Sequence, residues 1–167
     1  STLIKKDEAA ILSFLKDDGY YFSKVTSSYQ DLRDNKIDLL YQIELGEKSK
    51  ISKISFIGDK KFKDNKLKNI IISEEYKFWK FLSGKKYLNE NLINYDKRLL
   101  NNFYKNKGFF NVVIESSFAN YLGDDKFEII YNISSGNKFY FNEFNLNLPL
   151  DYDRANFQQL DKIFIEL

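Results

Sequence analysis

Three carboxylate pairs, Asp17/Asp18, Asp124/Asp125 and Asp151/Asp153, are the groupings here whose residue types could do acid–base work or hold calcium. The first two flank predicted turns, where Asp is favoured because its side chain bonds the local backbone, and that ordinary role accounts for them. The sequence has no His, Cys or Met. The commonest general base, a thiolate nucleophile and any disulfide framework are therefore missing. It shows no glycine-rich phosphate loop and no ligand spacing typical of zinc or an EF-hand. The expectation is a non-enzymatic chain that needs no cofactor and no metal. Lysines at 60, 61, 63, 66 and 68 gather near a turn and a helix start and read as a solvated face, with an acidic partner or lipid headgroups as the alternative. A net charge of +2, from 26 basic and 24 acidic residues, argues against a dedicated nucleic-acid surface.

What remains is the chemistry of the backbone. A strand at a sheet edge carries unpaired N–H and C=O groups and can add a strand from another chain, a mode called β-augmentation. The candidate is the run Asn111, Val112, Val113, Ile114, Glu115, Ser116 and Ser117, with Phe22 to Ser28 as its counterpart nearer the start. An idle edge, or one covered by a neighbouring module, is the competing reading.

The elements that must position this run lie in Asn91 to Phe118. Leu92, Tyr95, Leu99 and Phe103 recur at steps of three and four and predict one helix face, widened by Ile93, Leu100 and Tyr104. Gly108 stops the helix, and alternation from Asn111 to Phe118 predicts a strand with Val112, Ile114, Ser116 and Phe118 on one side. Much of this stretch occurs twice. Leu3, Ile4, Asp7, Phe14, Gly19, Ser27 and Ser28 match Leu92, Ile93, Asp96, Phe103, Gly108, Ser116 and Ser117 at an offset of 89. Asp34, Lys36, Tyr41, Ile43, Gly46 and Lys48 then match Asp124, Lys126, Tyr131, Ile133, Gly136 and Lys138 at 90. So long a period is that of a small domain, which implies tandem modules.

In chain order, a helix over Ser1 to Asp18 has the face Leu3, Ala10, Ile11, Phe14 and Leu15. Strands come next at Lys24 to Tyr29 and Lys36 to Leu45, the second alternating so cleanly that it should be half-buried. Gly46, Glu47 and Lys48 form a joint. Ile51 to Ile57 opens a second module, Asp64 is the expected N-cap of a helix reaching about Ser73, and Phe78, Trp79, Phe81 and Leu82 are expected to cap the core, a docking surface being the sharper alternative. After the organising helix and strand comes Lys126 to Ile133. Gly136, Asn137 and Lys138 make a second joint, Phe139 to Leu148 repeats the opening strand, and a helix comes after Pro149. The fold class is α+β, built from tandem β-α-α-β-β modules, each a three-stranded mixed sheet with two helices on one face. The expected division is the end of a first module (1–47), a complete second (48–136) and the start of a third (137–167). Opening inside a helix without Met, the sequence is expected to be a piece of a longer protein.

The order of elements, the Gly-Asp-Lys turn after ISFI, FWKFLS between the helices and YDKRLLNNFYKNKGFF at the helix end resemble the POTRA (polypeptide-transport-associated) modules of BamA-type outer-membrane assembly factors. The resemblance covers essentially the whole chain. It implies the periplasmic portion of an outer-membrane protein of Gram-negative bacteria, with a membrane β-barrel beyond residue 167 and Asn111 to Ser117 as the partner-binding edge. Implied partners are unfolded outer-membrane proteins, accessory lipoproteins of the assembly complex and periplasmic chaperones, with no nucleic acid. Modules of the same kind in a two-partner secretion transporter, which binds a single secreted substrate, are the alternative.

Overall fold

The computed structural model describes residues 2–79, 83–143, 147–149 and 151, with backbone only at 115–118. A helix, α1 (Thr2–Asp17), is followed by an antiparallel hairpin of β1 (Lys24–Asp31) and β2 (Ile37–Glu44). Then come β3 (Lys50–Asp59), the short α2 (Asp64–Lys68), a 3-10 turn at Gly84–Lys86, α3 (Glu90–Lys105), β4 (Val113–Gly123) and β5 (Lys126–Ser134). The second sheet runs β3-β5-β4, with β3 parallel and β4 antiparallel to β5. It is therefore the mixed sheet that a helical crossover followed by a hairpin demands. Both hairpin turns place two consecutive non-glycine residues in the left-handed region, Asp34 and Asn35 in one and Asp124 and Asp125 in the other. Local hydrogen bonding lets Asp and Asn tolerate that conformation, which confirms their turn role.

The core lies between the β3-β5-β4 sheet and α3. Ile51, Ile54 and Phe56 alternate inward from β3, and Phe127, Ile129, Tyr131 and Ile133 from β5. Leu67, Leu88, Ile93, Leu100 and Tyr104 close over them. Gly58 passes the Ile133 carbonyl so closely, at φ +85°, that a Cβ there would collide with its oxygen. Only glycine combines that backbone with that approach.

Several expectations are corrected. The buried stripe of α3 is Ile93, Asp96, Leu100 and Tyr104, rotated from the expected face, and Tyr95 is exposed. Asp96 can lie inward because Ile72 N–H donates to its carboxylate at 2.7 Å, Ser73 N–H at 3.3 Å and Tyr131 Oη–H at 2.8 Å. Those same bonds shorten α2, since residues 72 and 73 give their amides to Asp96 instead of to a helix. Asp64 is the first helical residue and not the N-cap, which is Lys63. Its carboxylate pairs with Lys60. In α1, Glu8 and Leu15 are buried, whereas Leu3 and Phe14 face solvent. β2 forms as expected, yet Ile37, Leu39 and Ile43 are exposed, because α1 alone lies over a sheet of only two described strands. Phe78 and Trp79 do not cap the core; they stand 78% and 60% exposed, edge to face. Residues 139–143 and 147–149 form no strand. Phe139 N–H bonds the Gly108 carbonyl at 2.8 Å, and no described strand lies beside it as a ladder partner. The remainder of the expected third-module strand, and the helix after Pro149, fall outside the described residues, as do Phe81 and Leu82.

Candidate functional site

The sheet has two outer edges, and the chain treats them differently. Along β3 the edge groups are taken up locally. Tyr76 N–H donates to the Ile51 carbonyl at 2.6 Å, Ile54 N–H donates to the Glu75 carboxylate at 3.0 Å, and Lys60 Nζ reaches the Phe56 carbonyl at 2.8 Å. Lys50 also forms an isolated bridge with Tyr87. Partial burial opposes the Glu75 charge, but the Lys68 ammonium and the Ile54 N–H outweigh it and hold the carboxyl below its ordinary range. Along β4, no strand pairs with the outer edge among the described residues.

Of the seven predicted edge residues, Val113, Ile114, Glu115, Ser116 and Ser117 lie in β4, while Asn111 and Val112 precede it as part of the turn leaving α3. The expected alternation is interrupted, since the ladder shifts register between Ile114 and Ser116. Ser117, and not Ser116, stands opposite the core residue Tyr131, and Ala119 opposite Ile129. An extra residue of this kind bends an edge strand and re-aims the side chains after it. Val113 is exposed and Ile114 buried, so the edge offers its backbone over an apolar footing.

Beside this edge runs a groove of about 850 Å³, walled by Asn91, Asn94, Lys97, Arg98 and Asn101 of α3 and floored by Val112 to Ile114. The wall is polar because α3 spends its apolar residues on the core. Asn101 Nδ2 touches the Val112 carbonyl at 3.5 Å and ties wall to floor.

The predicted joints hold more than their glycines. Gly46 and Gly136 both take positive φ, at +68° and +66°. At the first joint Ser49 N–H donates to the Gly19 carbonyl at 2.8 Å, the same bond, one repeat earlier, as Phe139 N–H to Gly108. Lys48 Nζ pairs with Asp18 at 3.0 Å and lies over the Tyr20 and Tyr87 rings. Tyr21 and Phe22 pack against Phe127 of the second sheet, with ring centroids 5.4 and 5.9 Å away. Glu47 and Asn137 are exposed, and Lys138 lies over the Tyr140 ring.

This arrangement, a mixed sheet with one open edge flanked by a helix and joined end to end with a second helix-hairpin unit, can be compared with known proteins. A family profile described as POTRA, surface antigen variable number repeat, matches residues 49–136, slightly more than half the chain. The chain belongs to the POTRA family. It is 22% identical over 132 residues to the outer membrane protein assembly factor BamA of Neorickettsia risticii, a match covering 79% of this chain and 18% of that protein. It is 29% identical over 87 residues to BamA of Neisseria meningitidis serogroup B, covering 52% of this chain and 11% of that protein. The chain thus spans less than a fifth of the length of the curated relatives it matches. Among solved structures, BamA from Haemophilus ducreyi lacking POTRA domains 1-3 superposes with a TM-score of 0.51 at 22% identity, covering 80% of this chain and 23% of that one. That likeness speaks to the POTRA fold alone.

The residue that sequence reasoning missed is Asp96, the buried acceptor that organises the α3 face. Its signal was available. Asp7 and Asp96 match at 89, Tyr41 and Tyr131 at 90, and in the first repeat Tyr41 Oη–H donates to Asp7 at 2.8 Å just as Tyr131 does to Asp96.

Proposed function

We propose that this chain is part of the periplasmic arm of an outer-membrane β-barrel assembly factor, and that the outer edge of β4 receives extended segments of unfolded outer-membrane proteins by strand addition. One observation carries the reading. Of two sheet edges, the chain closes β3 with its own Tyr76, Glu75 and Lys60 and leaves β4 without a described partner. Backbone hydrogen bonds supply affinity to almost any extended segment, which suits a receiver of many clients. The relatives named BamA support the assembly setting. Accessory lipoproteins and periplasmic chaperones are the further partners in that setting, residues 46–48 and 136–138 are the joints of the arm, and residues 1–47, 48–136 and 137–167 are parts of successive modules. A barrel beyond residue 167 completes the proposed protein.

The test is an amide-shift titration of the full chain with peptides from several different outer-membrane proteins. Shifts concentrated on Val113 to Ser117 with most peptides are expected. Shifts centred on Phe78 and Trp79, or none at all, would overturn strand addition at β4. Binding confined to one secreted protein's segment would instead favour the two-partner transporter.

A further inference from the structure

The groove beside the strand edge differs between the two repeats in a way that bears on what it can hold. At the position of Lys97 the first repeat has Glu8, whose carboxylate accepts from Ser27 Oγ on β1 at 2.5 Å and from Lys5 at 2.6 Å. Helix and strand are clasped there, and both charges are used internally. In the second repeat Asn94 replaces Lys5, Lys97 replaces Glu8 and Arg98 replaces Ala9. No carboxylate pairs with Lys97 or Arg98 among the described residues, and the Arg98 guanidinium rests on the Tyr95 ring with 5.1 Å to its centroid. Two cations with no carboxylate partner among the described residues therefore line the open groove next to the open edge, with amides of Asn94 and Asn101 on either side.

We infer that the second-repeat groove selects extended segments bearing a carboxylate on the side chain that faces α3, read by Arg98 and Lys97. The inference rests on the strand-addition reading. A guanidinium fork matches a carboxylate in a planar, two-bond geometry, and the adjacent ammonium adds charge without demanding a fixed orientation. Strand addition alone is indifferent to sequence, so this pair turns a general edge into a graded one. The first repeat has no such pair of cations, since Glu8 stands at the Lys97 position with its charge taken up by Lys5 and Ser27.

Three capped ten-residue peptides of alternating Thr and Val, with Asp, Asn or Lys at one central Thr position, test this against the full chain by amide-shift titration. With two partly exposed cations, the Asp peptide is expected to bind about three- to fivefold more tightly than the Asn peptide, and the Lys peptide least. The difference should shrink as ionic strength rises from about 0.05 to about 0.3 M. The Lys97→Gln/Arg98→Gln variant should lose the Asp preference yet bind the Asn peptide within about twofold of the parent, since backbone pairing is untouched. Equal affinity of the Asp and Asn peptides for the parent chain, with shifts still on Val113 to Ser117, would overturn the selectivity and leave strand addition standing. Survival of the preference in the double variant would do the same. If no peptide shifts those amides, strand addition itself fails, and this inference with it.

Discussion

Replacing Asp96 by Asn tests whether a buried carboxylate organises the module. The side chain is fully buried and accepts from two backbone amides and a phenol, and no cation pairs with it among the described residues. An Asn of the same shape keeps one acceptor oxygen for Ile72 N–H and for the longer Ser73 N–H contact at 3.4 Å, but its NH2 group then confronts the Ser73 N–H on the other side. Tyr131 can reverse its hydroxyl and accept. The Ser73 amide, left with its longer acceptor alone, loses part of a bond worth ~1–3 kcal/mol, and the surviving bonds lose their charge assistance, so the net loss is ~1–4 kcal/mol. Against a domain stability of ~5–15 kcal/mol this is a large fraction. Urea denaturation of the full chain, monitored by tyrosine fluorescence and circular dichroism, should show a transition at lower urea. Tyr131→Phe removes one donor to the same oxygen, and the two changes should couple by ~0.5–3 kcal/mol in a double-mutant cycle. Asp7→Asn is the internal control. Its one described bond of this kind is to half-buried Tyr41, and the change should stay within ~0.5 kcal/mol. The reasoning is refuted if Asp96→Asn unfolds at the same urea concentration as the parent, or if Asp7→Asn costs as much.

The sheet itself supports two further outcomes. Gly58→Ala forces a Cβ into left-handed backbone, which alone costs ~1–2 kcal/mol, and the collision with the Ile133 carbonyl adds to it. At about 4–8 °C per kcal/mol for a domain of this size, the melting temperature should fall by several degrees, and an unchanged value would show that β3 and β5 need not approach so closely. Protection of the Ile54 amide, corrected for intrinsic exchange, should track the Glu75 charge. Because that carboxyl is held below its ordinary value of 4.5 in the folded state, its contribution is complete above 4.5 and is lost as pH falls through the lower folded value. Glu75→Gln should abolish this pH dependence, and a persistent one would assign it elsewhere.

Much of the architecture was legible because repetition and periodicity act locally. The helix and hairpin of each repeat, the mixed sheet and the Asp turns come from steps of three and four, alternation, and turn chemistry. Errors arose where one distant group overrode a local pattern. An Asp inside a helix reads as solvent-facing until the Ile72 and Ser73 amides and Tyr131, 35 residues on, are known to meet it, and those bonds turned the α3 face and cut α2 short. The interruption between Ile114 and Ser116 was missed because Ser116 and Ser117 are the same residue, so a reversal of phase there changes nothing in the polarity pattern, and only the step from 89 to 90 in the repeat offset carries the added residue. Phe78 and Trp79 carry the hydrophobicity of core residues, although nothing in a sequence says whether an aromatic has a void to fill.

The sealing of β3 limits how such modules can associate. A sheet with two open edges is a bifunctional monomer, able to grow indefinitely by adding copies or strand-rich clients on both sides, as fibrils do. Here one edge is already occupied by Glu75, Tyr76 and Lys60, so the sheet has a valence of one. Two such sheets meeting at their open edges form a closed pair with no further site for growth, whereas a lone strand that adds to β4 becomes the new outer edge in its place. The fold thus confines strand addition to one side of the sheet and limits edge-to-edge association between copies to pairs.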